Sequence, residues 1–265
     1  MHPILLDLGR FQVRSYGFML AVSFLLGIYL AGRRAKRYGL DPQKILDLSV
    51  IIILAAVVGS RLLYVVFHLE QYSNPLQMFA IWEGGATFYG GFLLALAGAY
   101  WWVQRHGYKF LTVADVMAPS IAIGLMFTRI GCLLSGCCFG KPTEHAWGLV
   151  FPPDSPAGSA AAAVAATLGV DHVALHPTQA YASVMGLTIF LILMTLQPLL
   201  RKRGATFGMF LVLYGIGRFT IDFFRYYEDN ARVLMGLTFN QVISVFLLVL
   251  GIFLIVRRVR TPSTA

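Results

Sequence analysis

The sequence is poor in charge. Only 12% of its 265 residues are Asp, Glu, Lys or Arg, where a soluble globular domain carries about a quarter. Acidic residues are the scarcest, 12 against 21 Lys and Arg. Hydrophobic residues make up 58% of the chain and mean hydropathy is +0.71. That balance excludes a disordered chain and an ordinary soluble enzyme, and points to a polytopic membrane protein. Cysteine is scarce too: Cys132, Cys137 and Cys138 are the only three. An odd, clustered set excludes a disulfide framework. No strong internal repeat is present, which argues against an inverted-repeat transporter. A cleavable signal peptide is not expected either. The first apolar run follows Arg10 and Arg14, holds Tyr16 and continues without a small-residue cleavage site.

Long apolar runs are abundant. A hydrocarbon core takes roughly 20 mostly apolar residues per helix. Seven segments qualify, at about 15–32, 47–68, 86–104, 112–131, 177–199, 206–225 and 239–256. The expected fold is all-α, a polytopic transmembrane helical bundle of seven spans forming a single integral-membrane domain over 1–265. A loop segment at about 139–176 is expected on the outer face. Its Ala-rich stretch, Ser159 to Thr167, reads equally well as a short helix or a loop.

The net charge of +9 sits in short clusters between the apolar runs. This pattern sets membrane orientation and does not suit a groove for nucleic acid. Arg33, Arg34, Lys36, Arg37, Lys44, Arg105, Lys109, Arg201, Lys202, Arg203, Arg257, Arg258 and Arg260 fall on one side, and Arg10, Arg14, Lys141, Arg225 and Arg232 on the other. The positive-inside rule puts the larger set in the cytoplasm, with the N-terminus outside and the C-terminus cytoplasmic. Trp82, Trp101, Trp102 and Trp147 lie near span ends or in the following loop, as interfacial anchors do.

Arg61, Arg129 and Arg218 are left over, each within or at the end of an apolar span. A charge at the bilayer centre costs at least ~2.5–3.5 kcal/mol, so such groups face a partner or a ligand. Asp222, four residues after Arg218, lies on the same helical face and permits a structural ion pair. Arg129 permits a snorkelling, interfacial reading. Three arginines nevertheless exceed the needs of one acidic partner and suit an anionic ligand, such as a lipid phosphate. Gly90 and Gly91 open the third span, and Gly131, Gly136 and Gly140 follow Arg129. Such glycines allow close approach of a ligand or of a neighbouring helix. His176 precedes Pro177, which suits a first helical turn. A lone interfacial histidine is either a structural hydrogen bonder or a catalyst.

These residues carry a resemblance. Ser15-Tyr16-Gly17, Gly59-Ser60-Arg61-Leu62-Leu63-Tyr64, Tyr89-Gly90-Gly91, Arg129-Ile130-Gly131-Cys132 through Gly140, Trp147 to Pro152, His176-Pro177-Thr178-Gln179-Ala180-Tyr181, and Tyr214-Gly215 with Arg218 to Arg225 occur in order along the chain. In this order they resemble the bacterial prolipoprotein diacylglyceryl transferases. The resemblance implies a multi-pass protein of the bacterial plasma (inner) membrane. It implies transfer of the diacylglyceryl group of phosphatidylglycerol to the lipobox cysteine thiol of a preprolipoprotein. A thioether forms and glycerol phosphate leaves. The implied partners are phosphatidylglycerol, the signal peptides of preprolipoproteins and the lipid bilayer. No metal or organic cofactor is implied.

By the same resemblance Arg129 and Arg218 hold the phosphate and headgroup, and Arg61 supports them. Gly90, Gly91 and Gly140 line the lipid path, Tyr214 bonds the headgroup, and Asp222 orients Arg218. The chain departs from the family pattern at four places. Tyr89 replaces a histidine, Cys132 an asparagine, and Cys137 and Ala182 each a glutamate. Proton removal from the thiol then falls to Tyr89, His176 or Asp222. A phenol with a pKa near ~10 is a poor base at neutral pH. These departures also admit a paralogue with altered chemistry, or a binding or transport protein for an anionic lipid. A further alternative uses the chain's own thiols, for a metal or a redox cycle. Adjacent Cys137 and Cys138 are awkward for a four-ligand zinc site, and free cysteine is a common small buried residue.

Overall fold

The computed structural model describes residues 2–7, 9, 12–72, 74, 78, 85, 87–200, 202–227, 232–234 and 236–257. Arg10, Trp82, Ala86, Arg201, Arg258 and Arg260, used in the sequence reading, lie outside the described residues. The chain is helical almost throughout. Its helices are α1 (Ser15–Ala35), α2 (Pro42–Phe67), α3 (Phe88–Arg105), α4 (Phe110–Leu134), α5 (Pro156–Leu168), α6 (Thr178–Leu196), α7 (Ala205–Asp222) and α8 (Phe239–Val256). Two small antiparallel hairpins accompany them, β1 (Ile4–Asp7) with β2 (Gln12–Arg14) and β3 (Arg232–Leu234) with β4 (Leu237–Thr238).

A helix falls on each of the seven apolar runs. Among the described residues, five are long and apolar enough to cross a membrane: α1 with its following turn, α2, α4, α6 and α8. The other two carry polar residues near their ends, Gln104 and Arg105 in α3 and Arg218 and Asp222 in α7. Many large apolar side chains point outward, Leu25, Phe67 and Phe246 among them. Water would penalise such surfaces, whereas hydrocarbon accepts them.

Local chemistry sets the ends. Pro42 begins α2, with the Asp41 side chain accepting from Gln43 N–H. The Ala-rich stretch is the helix α5. Ser155 caps it, Pro156 starts it and left-handed Gly169 ends it. At α8, Thr238 and Gln241 form a reciprocal capping box.

The chain divides into two compact units, Met1–Leu30 with Met117–Ala265, and Ala31–Val116. The second unit is dominated by α2 packed on α3. There Gly59 and Gly90 face each other. A Cβ on Gly90 would come within 2.3 Å of the Gly59 carbonyl oxygen, and one on Gly59 within 2.4 Å of the Gly90 carbonyl. Only bare backbone permits that approach, as at small-residue helix contacts in lipid. The same unit buries Arg34, which is 2% exposed. Its Nε donates to the Val116 carbonyl and its Nη2 to the Asp115 carbonyl, both at 3.3 Å. Pro119 sits inside α4 and has no N–H to give the Asp115 carbonyl its helical bond, so Arg34 answers it. Arg34 is therefore a buried residue in the last turn of α1. Counting it with the loop cations misplaces it.

Candidate active site

The first unit holds a polar interior of its own. It begins where α4 ends. Gly136, at φ 65°, closes the helix. Its N–H bonds to the Leu133 carbonyl at 3.2 Å, and Cys137 N–H to the Cys132 carbonyl at 3.1 Å. This pair of bonds is a Schellman ending, and it turns Cys137 back over Cys132. Cys138 follows at φ 60°, a left-handed conformation that a non-glycine residue adopts only when held there. Its holders are on α6. Thr178 Oγ1 donates to the Cys138 carbonyl at 2.9 Å, and Gln179 Nε2 to the Cys137 carbonyl at 2.8 Å. The sulfur atoms of Cys132, Cys137 and Cys138 consequently lie within 4.8 Å of one another. All three are free thiols. Hydrogen bonds from the Cys132 and Cys137 thiols, aided by Arg129 and Arg225, pull the Cys138 thiol well below the ordinary thiol range, against the effect of burial.

Arg129 stands one turn before this ending and reaches the Cys138 thiol. Beside them opens a small pocket lined by Arg129, Cys138, Thr178, Ala182, Arg218, Ile221 and Arg225. Two expected arginines, Arg129 and Arg218, thus meet on one surface, with Tyr214 close enough to Arg129 to act on its charge. Arg225 is a third cation there, and its Nε is buried without an acceptor among the described residues. Reading Arg225 only as an orientation-setting loop residue missed this. The available signal was its place seven residues after Arg218, just beyond the same helix. Ala182 also lines the pocket, so the position where the family pattern has a carboxylate adds no negative charge.

Asp222 is 3% exposed and fully engaged. It accepts from Arg218 Nη1 at 2.8 Å, from the Tyr227 hydroxyl and from Thr238 Oγ1. Arg218 Nη2 donates to the Tyr227 hydroxyl at 3.1 Å, and Asn240 Nδ2 donates to the same oxygen at 2.9 Å. Burial, then the bond to Asp222, raises the Tyr227 phenol above its ordinary range and keeps it a donor. This network fixes one face of Arg218 and leaves its guanidinium on the pocket. Tyr227, Thr238 and Asn240 were not legible as members, because their contacts depend on how α8 returns against α7.

Gly140 joins three strands of backbone. Its N–H bonds to the His176 carbonyl at 3.0 Å, and it bridges Arg225. A Cβ there would stand 2.6 Å from both the His176 carbonyl and the Phe224 carbonyl. Glycine is required by this crowding, and its effect is to position His176 and Arg225. His176 itself is buried, with Nδ1 3.1 Å from the Tyr181 hydroxyl and its ring against His145 and Phe224. Burial first, then the charges of His145 and Lys141, lower its pKa, so it is neutral at pH 7. His176 is not among the residues that line the pocket.

Tyr89, Gly90, Gly91 and Arg61 belong to the second unit. Tyr89 is exposed near the start of α3. Gly90 and Gly91 are buried against α2. Arg61 donates through Nε to the Met78 carbonyl at 2.9 Å and through Nη1 to the Gly85 carbonyl at 3.2 Å. It also faces the rings of Tyr64 and Tyr72.

Apolar helices around a pocket of arginines, beside thiols and a committed carboxylate, mark a multi-pass membrane protein with a cationic pocket. Residues 3–257 match the prolipoprotein diacylglyceryl transferase family. The chain is 33% identical to the phosphatidylglycerol–prolipoprotein diacylglyceryl transferase of Stenotrophomonas maltophilia, covering 98% of this chain and 92% of that one. It is 36% identical to the protein of that name from Nitratidesulfovibrio vulgaris, over 96% and 93%. With the Clostridium tetani protein of that name it shares 28%, over 96% of each. The chain belongs to the prolipoprotein diacylglyceryl transferase family and is a transferase of lipoprotein biosynthesis.

Proposed function

We propose that this chain transfers the diacylglyceryl group of phosphatidylglycerol to the lipobox cysteine of preprolipoproteins. It works as a single integral-membrane domain of seven spans in the bacterial plasma (inner) membrane, N-terminus outside and C-terminus cytoplasmic. The substrate sulfur attacks the glyceryl carbon that bears the phosphate. A C–S bond forms, the C–O bond to phosphate breaks, and glycerol phosphate departs with the electron pair. Charge grows on the leaving phosphate, so cations fixed beside it favour the transition state.

Arg129 and Arg218 hold that phosphate. Arg225 joins them, its unanswered Nε supplying a further donor. Asp222 orients Arg218, and Tyr214 bonds the headgroup. Arg61, Gly90 and Gly91 shape the second unit's helix pair, and Gly140 aligns the backbone behind the pocket. Of the three groups considered for proton removal, Asp222 is occupied by Arg218, Tyr227 and Thr238 and serves as a positioning residue. Tyr89 and His176 remain as acceptors to be tested by substitution.

The observation that carries this reading is the convergence of three arginines on one pocket. Its test is the mass of a lipobox peptide after incubation with purified protein and phosphatidylglycerol, with Arg129→Ala beside it. A diacylglyceryl adduct on the peptide cysteine, absent from the variant, is expected. An unchanged peptide mass with lipid bound would make the protein a lipid carrier instead.

A further inference from the structure

We infer that Cys132, Cys137 and Cys138 form a three-thiolate site for a zinc-class divalent ion, whose open fourth position takes the thiolate of the substrate cysteine. This rests on the transferase reading and gives the acceptor thiol a route to its thiolate other than proton transfer to Tyr89 or His176.

Three observations carry it. The three sulfurs already lie within 4.8 Å of one another. A tetrahedral ion with metal–sulfur bonds of about 2.3 Å needs sulfurs roughly 3.8 Å apart, so small side-chain rotations close the site. The backbone that brings them together is costly and well held. It combines a Schellman turn at Gly136, a left-handed Cys138 and two carbonyls pinned by Thr178 and Gln179. Packing three apolar residues would need none of this. Finally, Cys138 lines the same pocket as Arg129, Arg218 and Arg225, so an ion held there sits beside the phosphate cations. The awkwardness of adjacent cysteines applies to a closed four-ligand site. A catalytic site needs only three protein ligands and an open position.

Soft thiolates select zinc-class ions over magnesium or calcium. An ion with three thiolates carries one net negative charge, and Arg129 beside Cys138 offsets it. When the substrate thiol coordinates, its proton is released to solvent and its sulfur becomes a metal-bound thiolate. That sulfur attacks the glyceryl carbon, and the C–O bond pair leaves with glycerol phosphate. The product is a neutral thioether, a weak ligand that departs. The ion thereby replaces a general base, in a chain where cysteines occupy positions that are Asn and Glu in the family pattern.

The test uses wild-type protein in detergent, stripped by chelator under reducing conditions and reloaded with cobalt or zinc. Stoichiometric cobalt with thiolate charge-transfer absorption and intense tetrahedral visible bands is expected, and loss of both in Cys132→Ser. A lipobox peptide should shift the visible bands, while the same peptide with serine for cysteine should not. Stripping should slow adduct formation at pH 7 about tenfold or more, because a free thiol of pKa ~8.5 is only a few per cent ionised there. The stripped rate should climb with pH towards that pKa, and the zinc-loaded rate should stay flat. Equal rates and equal pH profiles with and without metal would overturn the metal site and leave the transferase reading standing. Intact mass showing a disulfide among the three cysteines of active protein would do the same. Cobalt bands that respond to the cysteine peptide, in protein that makes no adduct, would overturn the transferase reading and the role given to the ion.

Discussion

Both units of this protein place arginines inside apolar helices, and they treat them in opposite ways. In the second unit Arg34 and Arg61 donate to backbone carbonyls, and Arg34 also donates to the Tyr38 hydroxyl. Arg34 answers the Asp115 and Val116 carbonyls, and Arg61 the Met78 and Gly85 carbonyls. In the first unit Arg129, Arg218 and Arg225 line open space, and the one carboxylate nearby is shared with two hydroxyls. The same residue type thus serves as a structural tie where carbonyls lack donors, and lines a pocket where protein acceptors engage only part of the arginine set. The surroundings of a buried arginine separate the two uses better than its depth does.

The comparison can be broken most directly at Arg129. Arg129→Ala should lower adduct formation about 10²–10³-fold, the loss typical of a donor aimed at developing charge, while the folded yield is unchanged. Asp222→Asn comes next. Loss of one charge-assisted bond should cost about tenfold in rate through misplacement of Arg218. Asp222→Glu should recover part of it, since a carboxylate returns, and that recovery separates positioning from general disruption. In the second unit the effect should move from rate to stability. Arg34→Met should lower unfolding stability by about 1–3 kcal/mol, because the Asp115 carbonyl loses its donor, with turnover per folded molecule unchanged. A folded Arg34→Met protein without activity would erase the distinction between the units.

Gly90→Ala should also act on stability alone, by about 1–3 kcal/mol, since its Cβ would press on the Gly59 carbonyl. Thermal melts in detergent measure both. The smallest effect belongs to His176. Its folded pKa is depressed, so its contribution is present above the unfolded value of about 6.5 and is lost as pH falls through the folded value. Melting temperature should therefore drop on acidification below about pH 6.5, and drop less in His176→Gln.

The helices were legible because apolar runs are long and their interruptions few. Arg129 and Arg218 were legible for the same reason, a charge being conspicuous in such a run. Arg225 and Arg34 were not, because each lies close to a helix end, where an arginine reads equally as a solvated loop cation. The thiol cluster was hidden in another way. Sequence spacing puts Cys137 five residues beyond Cys132, on no common helical face, and only the left-handed turn at Gly136 folds it back. The helix α5 was written in Ser155-Pro156 and Gly169, a cap, a first-turn proline and a left-handed stop that outweigh the ambiguity of its alanines. The glycine pair Gly90–Gly91 permitted ligand or helix contact, and the partner glycine on α2 showed that helix contact is made.

Thr238 does two jobs at once. It caps α8 and it donates to Asp222, which holds Arg218. A ribosome delivers α8 after every other helix described here. Until its first turn emerges, Asp222 lacks one of its three donors and the network that holds Arg218 is incomplete. Completion of the pocket is therefore a late event of biosynthesis, and a nascent chain halted before Thr238 would sit in the membrane with the network around Arg218 unfinished.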